Sequence, residues 1–448
     1  MNPFRRERPS TYRRRTELGL VVLAVVLTGG LYCLASLGRS ASLPADVGPF
    51  LLVILGLFGA AHVAVRILAP DADATLLPLV AVLNGIGYVF IARLDPDLAA
   101  LQAVWTALAV GAFVLTLAVV RRARDLERYR YSFALLGVGL LLMPLVPGIG
   151  RTIRGARLWV TIGPINFQPG ELAKVALAVF FAAYLVEKRE LLATATASAR
   201  GRAFGPILLA WGASLVVMTM EKDLGSSLLF FALFISMLWL ATAQAAYLGI
   251  GFGLFSAGAL FAFSAFSHVQ TRVDTWLDPW SRADSQGYQL VQAAYAFGSG
   301  GFAGSGPGVG TPGKIPAATT DFIFAAVGEE LGLLGTAAVL VLFVLIIGSG
   351  LRIAVWADHP FEKLLAAGLT TILAVQTFVI IGGVTRLVPL TGVTLPFMSY
   401  GGSSLVANYI LLALLLRISD DAAARNRQQA AEAALLADET VGLATGGR

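Results

Sequence analysis

Apolar residues fall along this chain in long blocks separated by short polar intervals. Blocks close to the roughly 20 residues that cross a bilayer as a helix lie near 18–38, 48–69, 74–92, 100–120, 131–148, 170–187, 205–220, 225–243, 246–266, 330–350, 362–385 and 402–417. The pattern predicts an all-α polytopic membrane protein of about twelve transmembrane helices. One interval, 267–320, is far longer than the rest. A structureless loop of that length is usually functional, so this one is expected to hold the aqueous chemistry.

Composition agrees: 57% of the residues are hydrophobic, 13% are charged, and the mean hydropathy is +0.77. One soluble core could not bury so much apolar surface. Lys and Arg gather in alternate intervals, among them Arg5, Arg6, Arg8, Arg121, Arg122, Arg128, Arg352 and Arg425. By the positive-inside rule these intervals are cytoplasmic, which places both termini inside and the 267–320 loop outside. The basic N-terminus reads as an orienting tag that touches anionic lipid, not as a nucleic-acid site. It does not resemble a cleavable signal peptide. Cys33, the single cysteine, excludes a disulfide framework, and the segment after about Asp420 reads as a polar tail without an assigned function.

Ionisable residues in or beside a span are expensive and by default face a partner or a watery cavity. Glu171 and Lys174, three apart at the start of a span behind Pro169, share a helix face and can pair. They suit either a packing ion pair or the charged wall of a polar cavity. Asp223 lies in the turn 221–227, Asp321 precedes a helix start, and Glu329 and Glu330 lie deeper. Prolines and glycines interrupt 382–404, and such broken backbone is tolerated at membrane depth only against protein or water. The glycine-rich run 298–310 has no surrounding βαβ unit and is not read as a nucleotide loop. It is expected to be a flexible surface loop.

Six ordered motifs resemble one family: PheGlnProGlyGluLeuAlaLys (167–174), LysAspLeuGly (222–225), the AspPro loop running to GlyTyrGlnLeuValGln (287–292), GlySerGlyGly (298–301), ThrAspPheIlePheAla with GluGluLeuGly (320–332), and LeuProPheMetSerTyrGlyGlySerSer (395–404). They are similar to the SEDS proteins and resemble an actinobacterial RodA type more than FtsW. The resemblance implies a ten-helix core, here within 71–417. Before it come a basic segment (1–16) and two additional N-terminal helices (17–70); a cytoplasmic tail (418–448) follows. It also implies a peptidoglycan glycosyltransferase of the bacterial plasma membrane that polymerises lipid II for elongation and cell shape beside a class B penicillin-binding protein. A lipid II flippase or a non-catalytic scaffold are the alternatives.

Such a transfer needs a base for the acceptor hydroxyl and cations for the diphosphate. Being inverting, it needs only one base. The family places this aspartate in an AspPro pair shortly before GlyTyr, where the present chain has Arg282. Asp284 is the nearest carboxylate and Asp278 the other candidate. Arg151, Arg154, Arg157, Arg272, Lys314 and Arg386 are candidates for the diphosphate, and Glu171, Lys174, Asp223, Asp321 and Ser399 for the substrate cavity. No cofactor is implied. No His/Cys/Asp cluster has metal-site spacing, and any divalent cation would be held mainly through substrate phosphates.

Overall fold

In a computed structural model, the structure describes residues 10–153, 156–163, 165–194, 197–221 and 223–445. Arg5, Arg6, Arg8 and the predicted phosphate ligand Arg154 lie outside the described residues. The chain runs α1 (Ser10–Ser40), α2 (Val47–Leu68), α3 (Leu76–Leu94), α4 (Pro96–Val119) and α5 (Arg130–Leu142), then β1 (Gly150–Ile153), β2 (Ala156–Ile162) and β3 (Ile165–Phe167). It continues through α6 (Pro169–Thr194), α7 (Ala197–Met220), α8 (Leu224–Thr242), α9 (Ala246–Ala265), α10 (Ser267–Leu277), α11 (Tyr288–Gly300), α12 (Ile323–Trp356), α13 (Pro360–Val384) and α14 (Gly402–Thr445).

Helices stand at all twelve predicted places, but among the described residues ten are long and apolar enough to span a membrane. The two that fall short answer to the blocks at 131–148 and 205–220. Helix α5 stops after 13 residues, because Pro144 and the Pro147-Gly148 pair end it; in α7 the apolar stretch among the described residues is Leu208–Val217. The all-α polytopic expectation holds, with one small addition. Strands β1, β2 and β3 form a small antiparallel sheet in the order β1-β2-β3 ahead of α6. Helices α6 and α13 are mostly buried and form the centre, whereas α9 buries almost nothing within the chain. The N-terminal pair packs on α3: Gly85 of α3 leaves room for Thr28 of α1, and Gly29 of α1 for Leu51 of α2.

The long interval is not a structureless loop. Helices α10 and α11 occupy much of it, with a tight turn between them. The predicted span at 330–350 begins earlier, in a buried half-helix from Ile323, and is broken at Gly332 (φ 64, ψ −160). A side chain there would meet the backbone of Gly304, so only glycine fits.

The tail read as 418–448 is, in its first part, built into the face where α1 begins and α2 and α4 end. Arg417 donates to the carbonyls of Leu68, Leu117 and Val120, each at 2.7 Å, and pairs with Asp420 at 3.1 Å. Arg425 pairs with Glu362 and Arg427 with Asp71. On the same face Arg14 pairs with Glu17, which also bonds His62 Nδ1 at 2.8 Å.

Candidate functional site

Pro169 opens α6, and the N–H of Gln168 just before it donates to Ser403 Oγ at 2.8 Å, tying this helix start to that of α14. One turn in, Glu171 and Lys174 pair at 2.9 Å, both buried. Lys174 Nζ also donates to Gln376 Oε1 of α13 at 3.0 Å. Gln376 Nε2 in turn donates to the Thr394 carbonyl at 2.9 Å, in the irregular segment between α13 and α14. The pair is thus held by three elements, with non-helical backbone against it.

Asp223 caps α8 by accepting from the Ser226 N–H at 2.9 Å. Burial pushes its pKa up and the Ser226 hydrogen bonds pull it back, while Glu171 raises it and Lys174 lowers it. On α10, Arg272 donates to the Thr391 carbonyl at 3.1 Å. Burial lowers its pKa, and Asp223 and Asp321 on either side raise it. The neighbouring Gly392 has φ +76 and lets this backbone lie beside the Asp321 carboxylate. Five predicted residues, Glu171, Lys174, Asp223, Arg272 and Asp321, therefore converge into one cluster of mixed charge. Among the described residues no group of three or more His, Cys, Asp or Glu is placed to hold a metal ion.

Other predicted residues do different work. Arg386, with φ +63, donates to the carbonyls of Trp276 and Leu277 at 3.1 and 3.2 Å, and Trp276 Nε1 donates back to its carbonyl at 3.0 Å. This clamp fixes the end of α10. Arg157 donates to the Val146 carbonyl at 3.3 Å. Ser399 is buried, donates to the Thr320 carbonyl at 2.5 Å and accepts from the Leu395 N–H at 2.9 Å, so it braces backbone. Arg151 and Lys314 are exposed.

The turn after α10 holds both candidate bases. Asp278 is exposed and accepts from the Ser281 N–H at 3.2 Å. That bond, with the Ser281 hydroxyl and Arg386 nearby, holds its carboxyl below the usual range. Asp284 is exposed, with no hydrogen bond or ion pair among the described residues. Arg282, which stands at the family's aspartate position, pairs with Asp274 of α10 at 3.0 Å. Asp274 was not singled out from the sequence; lying eight residues before Arg282, it gave no pairing signal short of the turn itself.

The glycine run after α11 is pinned, not flexible. Glu330 accepts from the Gly308 N–H at 2.9 Å and pairs with Arg93 at 3.1 Å. Glu329 accepts from the Thr311 N–H at 2.7 Å, and its carbonyl takes the Ser305 N–H at 2.9 Å. Arg93 closes the clasp by donating to the Gly310 carbonyl at 2.8 Å. The two buried acids are thus accounted for by loop backbone. Gln376 and Arg93 were both missed, although a polar side chain inside an apolar block is the signal that would have flagged Gln376.

With this geometry in view, the profile of the cell cycle protein family, that of FtsW, RodA and SpoVE, matches residues 72–424. The chain belongs to this family. It is 45% identical over 432 residues to the peptidoglycan glycosyltransferase RodA of Mycobacterium tuberculosis, covering 92% of both chains. A probable peptidoglycan glycosyltransferase FtsW of Geobacter sp. is 37% identical over 283 residues, 62% of this chain and 76% of that one. The fold matches a chain solved in work on the structural coordination of polymerization and crosslinking by a peptidoglycan synthase complex (TM-score 0.67, 27% identity, 78% of this chain and 98% of that one). It also matches the crystal structure of Thermus thermophilus RodA (TM-score 0.58, 27% identity, 78% and 97%). The family match starts at residue 72, after α1 and α2.

Proposed function

We propose that this chain is a peptidoglycan glycosyltransferase that polymerises lipid II for cell elongation, working with a class B penicillin-binding protein in the bacterial plasma membrane. In this reading both termini are cytoplasmic and the 267–320 segment is outside. The observation that carries it is the cluster of Glu171, Lys174, Asp223, Arg272 and Asp321, whose Arg272 lies on α10, the helix that leads into the turn with the exposed Asp284.

The chemistry is an inverting displacement. The acceptor hydroxyl oxygen attacks the anomeric carbon of the donor sugar, the carbon–oxygen bond to the diphosphate breaks, and undecaprenyl diphosphate leaves. Asp284 takes the hydroxyl proton. Asp278 is the weaker base because the Ser281 N–H stabilises its charged form, and Asp274 is engaged with Arg282. Lys174 and Arg272 supply positive charge where the leaving diphosphate gathers negative charge. No cofactor enters this scheme; any divalent cation arrives with the diphosphate.

Purified protein incubated with lipid II in detergent tests the reading. Asp284→Asn should abolish glycan strands in protein that is still folded, and Asp278→Asn should leave substantial activity. Reversed effects would move the base to Asp278. Near wild-type strand synthesis by both variants would sink the mechanism, and an inactive wild type would favour the flippase or scaffold. For orientation, in a Cys33→Ala background an impermeant thiol reagent should label Ser285→Cys but not Gln428→Cys in intact cells. Both positions are exposed; labelling of Gln428→Cys would invert the map.

A further inference from the structure

The N-terminal pair α1 and α2 lies before the part of the chain that matches the family, yet α1 reaches the glycine clasp. A Cβ on Gly38, in its last turn, would overlap the Pro307 carbonyl oxygen and lie 3.1 Å from Val309 Cγ2. On the other side of the contact, Gly308 has φ +79, and a Cβ there would overlap the Ala35 carbonyl. The two backbones touch with no side chain between them. Next to Gly38, Arg39 donates to the Arg93 carbonyl at 3.4 Å, and Arg93 is the residue whose guanidinium holds Gly308, Gly310 and Glu330.

We propose that α1 is a positioning element of the extracytoplasmic site, its Ala35–Gly38 turn seating the 301–313 loop and, through it, the two segments that carry the chemistry. The loop's N-terminal end is α11, which follows directly from the Asp278–Asp284 turn. Its C-terminal end leads to Thr320, whose carbonyl accepts from Ser399, and to Asp321. Gly301 and Phe302 accept backbone bonds from Leu333 and Leu334 just past the α12 break, at 3.0 and 3.2 Å. A loop lifted by α1 would therefore drag α11 and the Asp321 segment together. Gly38 and Gly308 act through the loop; they are positioning residues and touch no substrate.

This inference rests on the polymerase reading for its activity arm and on geometry alone for its structural arm. The experiment uses full-length protein with Cys33→Ala and Val309→Cys, since Val309 is exposed on the loop. Into this background go Gly38→Ala, Gly38→Val and the control Gly30→Val, a site on the same helix where a Cβ meets nothing. Maleimide labelling of Cys at 309 should quicken several-fold for Gly38→Val, less for Gly38→Ala and not for Gly30→Val. In the lipid II assay kcat should fall in the same order, by about tenfold to about a hundredfold for Val, the scale expected when a reacting group is misplaced by about 1 Å. KM should change little, because Glu171 and Lys174 are held by α6 and α13. Unchanged labelling in Gly38→Val overturns the seat. Changed labelling with unchanged kcat, or a fall in kcat matched by Gly30→Val, overturns the positioning role. An inactive wild type refutes the polymerase reading instead, and labelling still decides whether α1 seats the loop.

Discussion

The two faces of this protein spend their charged residues in opposite ways. On the face where α1 begins and α2 and α4 end, Arg14, Arg417, Arg425 and Arg427 are matched to Glu17, Asp420, Glu362 and Asp71, and spare donors are used on helix-end carbonyls. On the other face Asp284, Lys314 and Arg151 stand exposed, and three acids repel one another, Asp223 with Glu171 and Glu221 with Asp223. A closed network fixes helices in place. Free charges and mutually repelling carboxylates add nothing to stability, and a site for a charged substrate is where such a cost is retained.

The largest effect should come from opening the closed face. Arg417 is 4% exposed and satisfies three carbonyls on α2 and α4 besides Asp420. Arg417→Ala leaves all of these unmatched in a buried place, a loss on the scale of about 3–5 kcal/mol. Thermal unfolding in detergent should show a large drop in midpoint, while protein that stays folded should keep its rate of strand synthesis. A variant as stable as the wild type would mean that the network is surface decoration and the contrast between faces is false.

Between the faces sits Glu171–Lys174, a buried pair that also borders the charged cluster. Glu171→Ala and Lys174→Ala should each cut polymerisation strongly. The double variant should be less unstable than the sum of the two, since neither charge is left stranded. Strict additivity in a double-mutant cycle would show the residues acting apart, with Lys174 relying on Gln376 instead.

What could be read from the sequence follows from the reach of each signal. Hydrophobic blocks and the i, i+3 spacing of Glu171 and Lys174 are local, so the spans and the pair were legible. Asp223, Arg272 and Asp321 were singled out separately, but their meeting was not legible, because nothing local links residues 223, 272 and 321. The sheet at 150–167 was missed because its strands are only four, seven and three residues long, too short for alternation to stand out. The backbone-bracing bonds of Arg386 and Ser399 went unread for a shared reason. Both sit in irregular backbone that must be hydrogen-bonded internally, and they supply bonds to it that spacing does not announce.

The smallest effect concerns Glu221, which the sequence offered only as part of a turn. Its side chain is buried with Oε1 unpartnered, and burial, aided by Asp223, pushes its pKa up to about 8. A carboxyl raised in the folded state keeps its proton there after the unfolded chain has lost it near its ordinary value of 4.5. The folded state then binds more protons between these two values, so stability falls as pH rises through the window and levels off above it. Glu221→Gln cannot ionise and escapes that fall. It should match the wild type at pH 5 and unfold a few degrees higher at pH 9, with the difference growing through neutral pH. A constant offset at every pH, or a wild type that gains stability from pH 5 to 8 relative to the variant, would show Glu221 ionised in the fold. It would then belong with the matched charges of the opposite face.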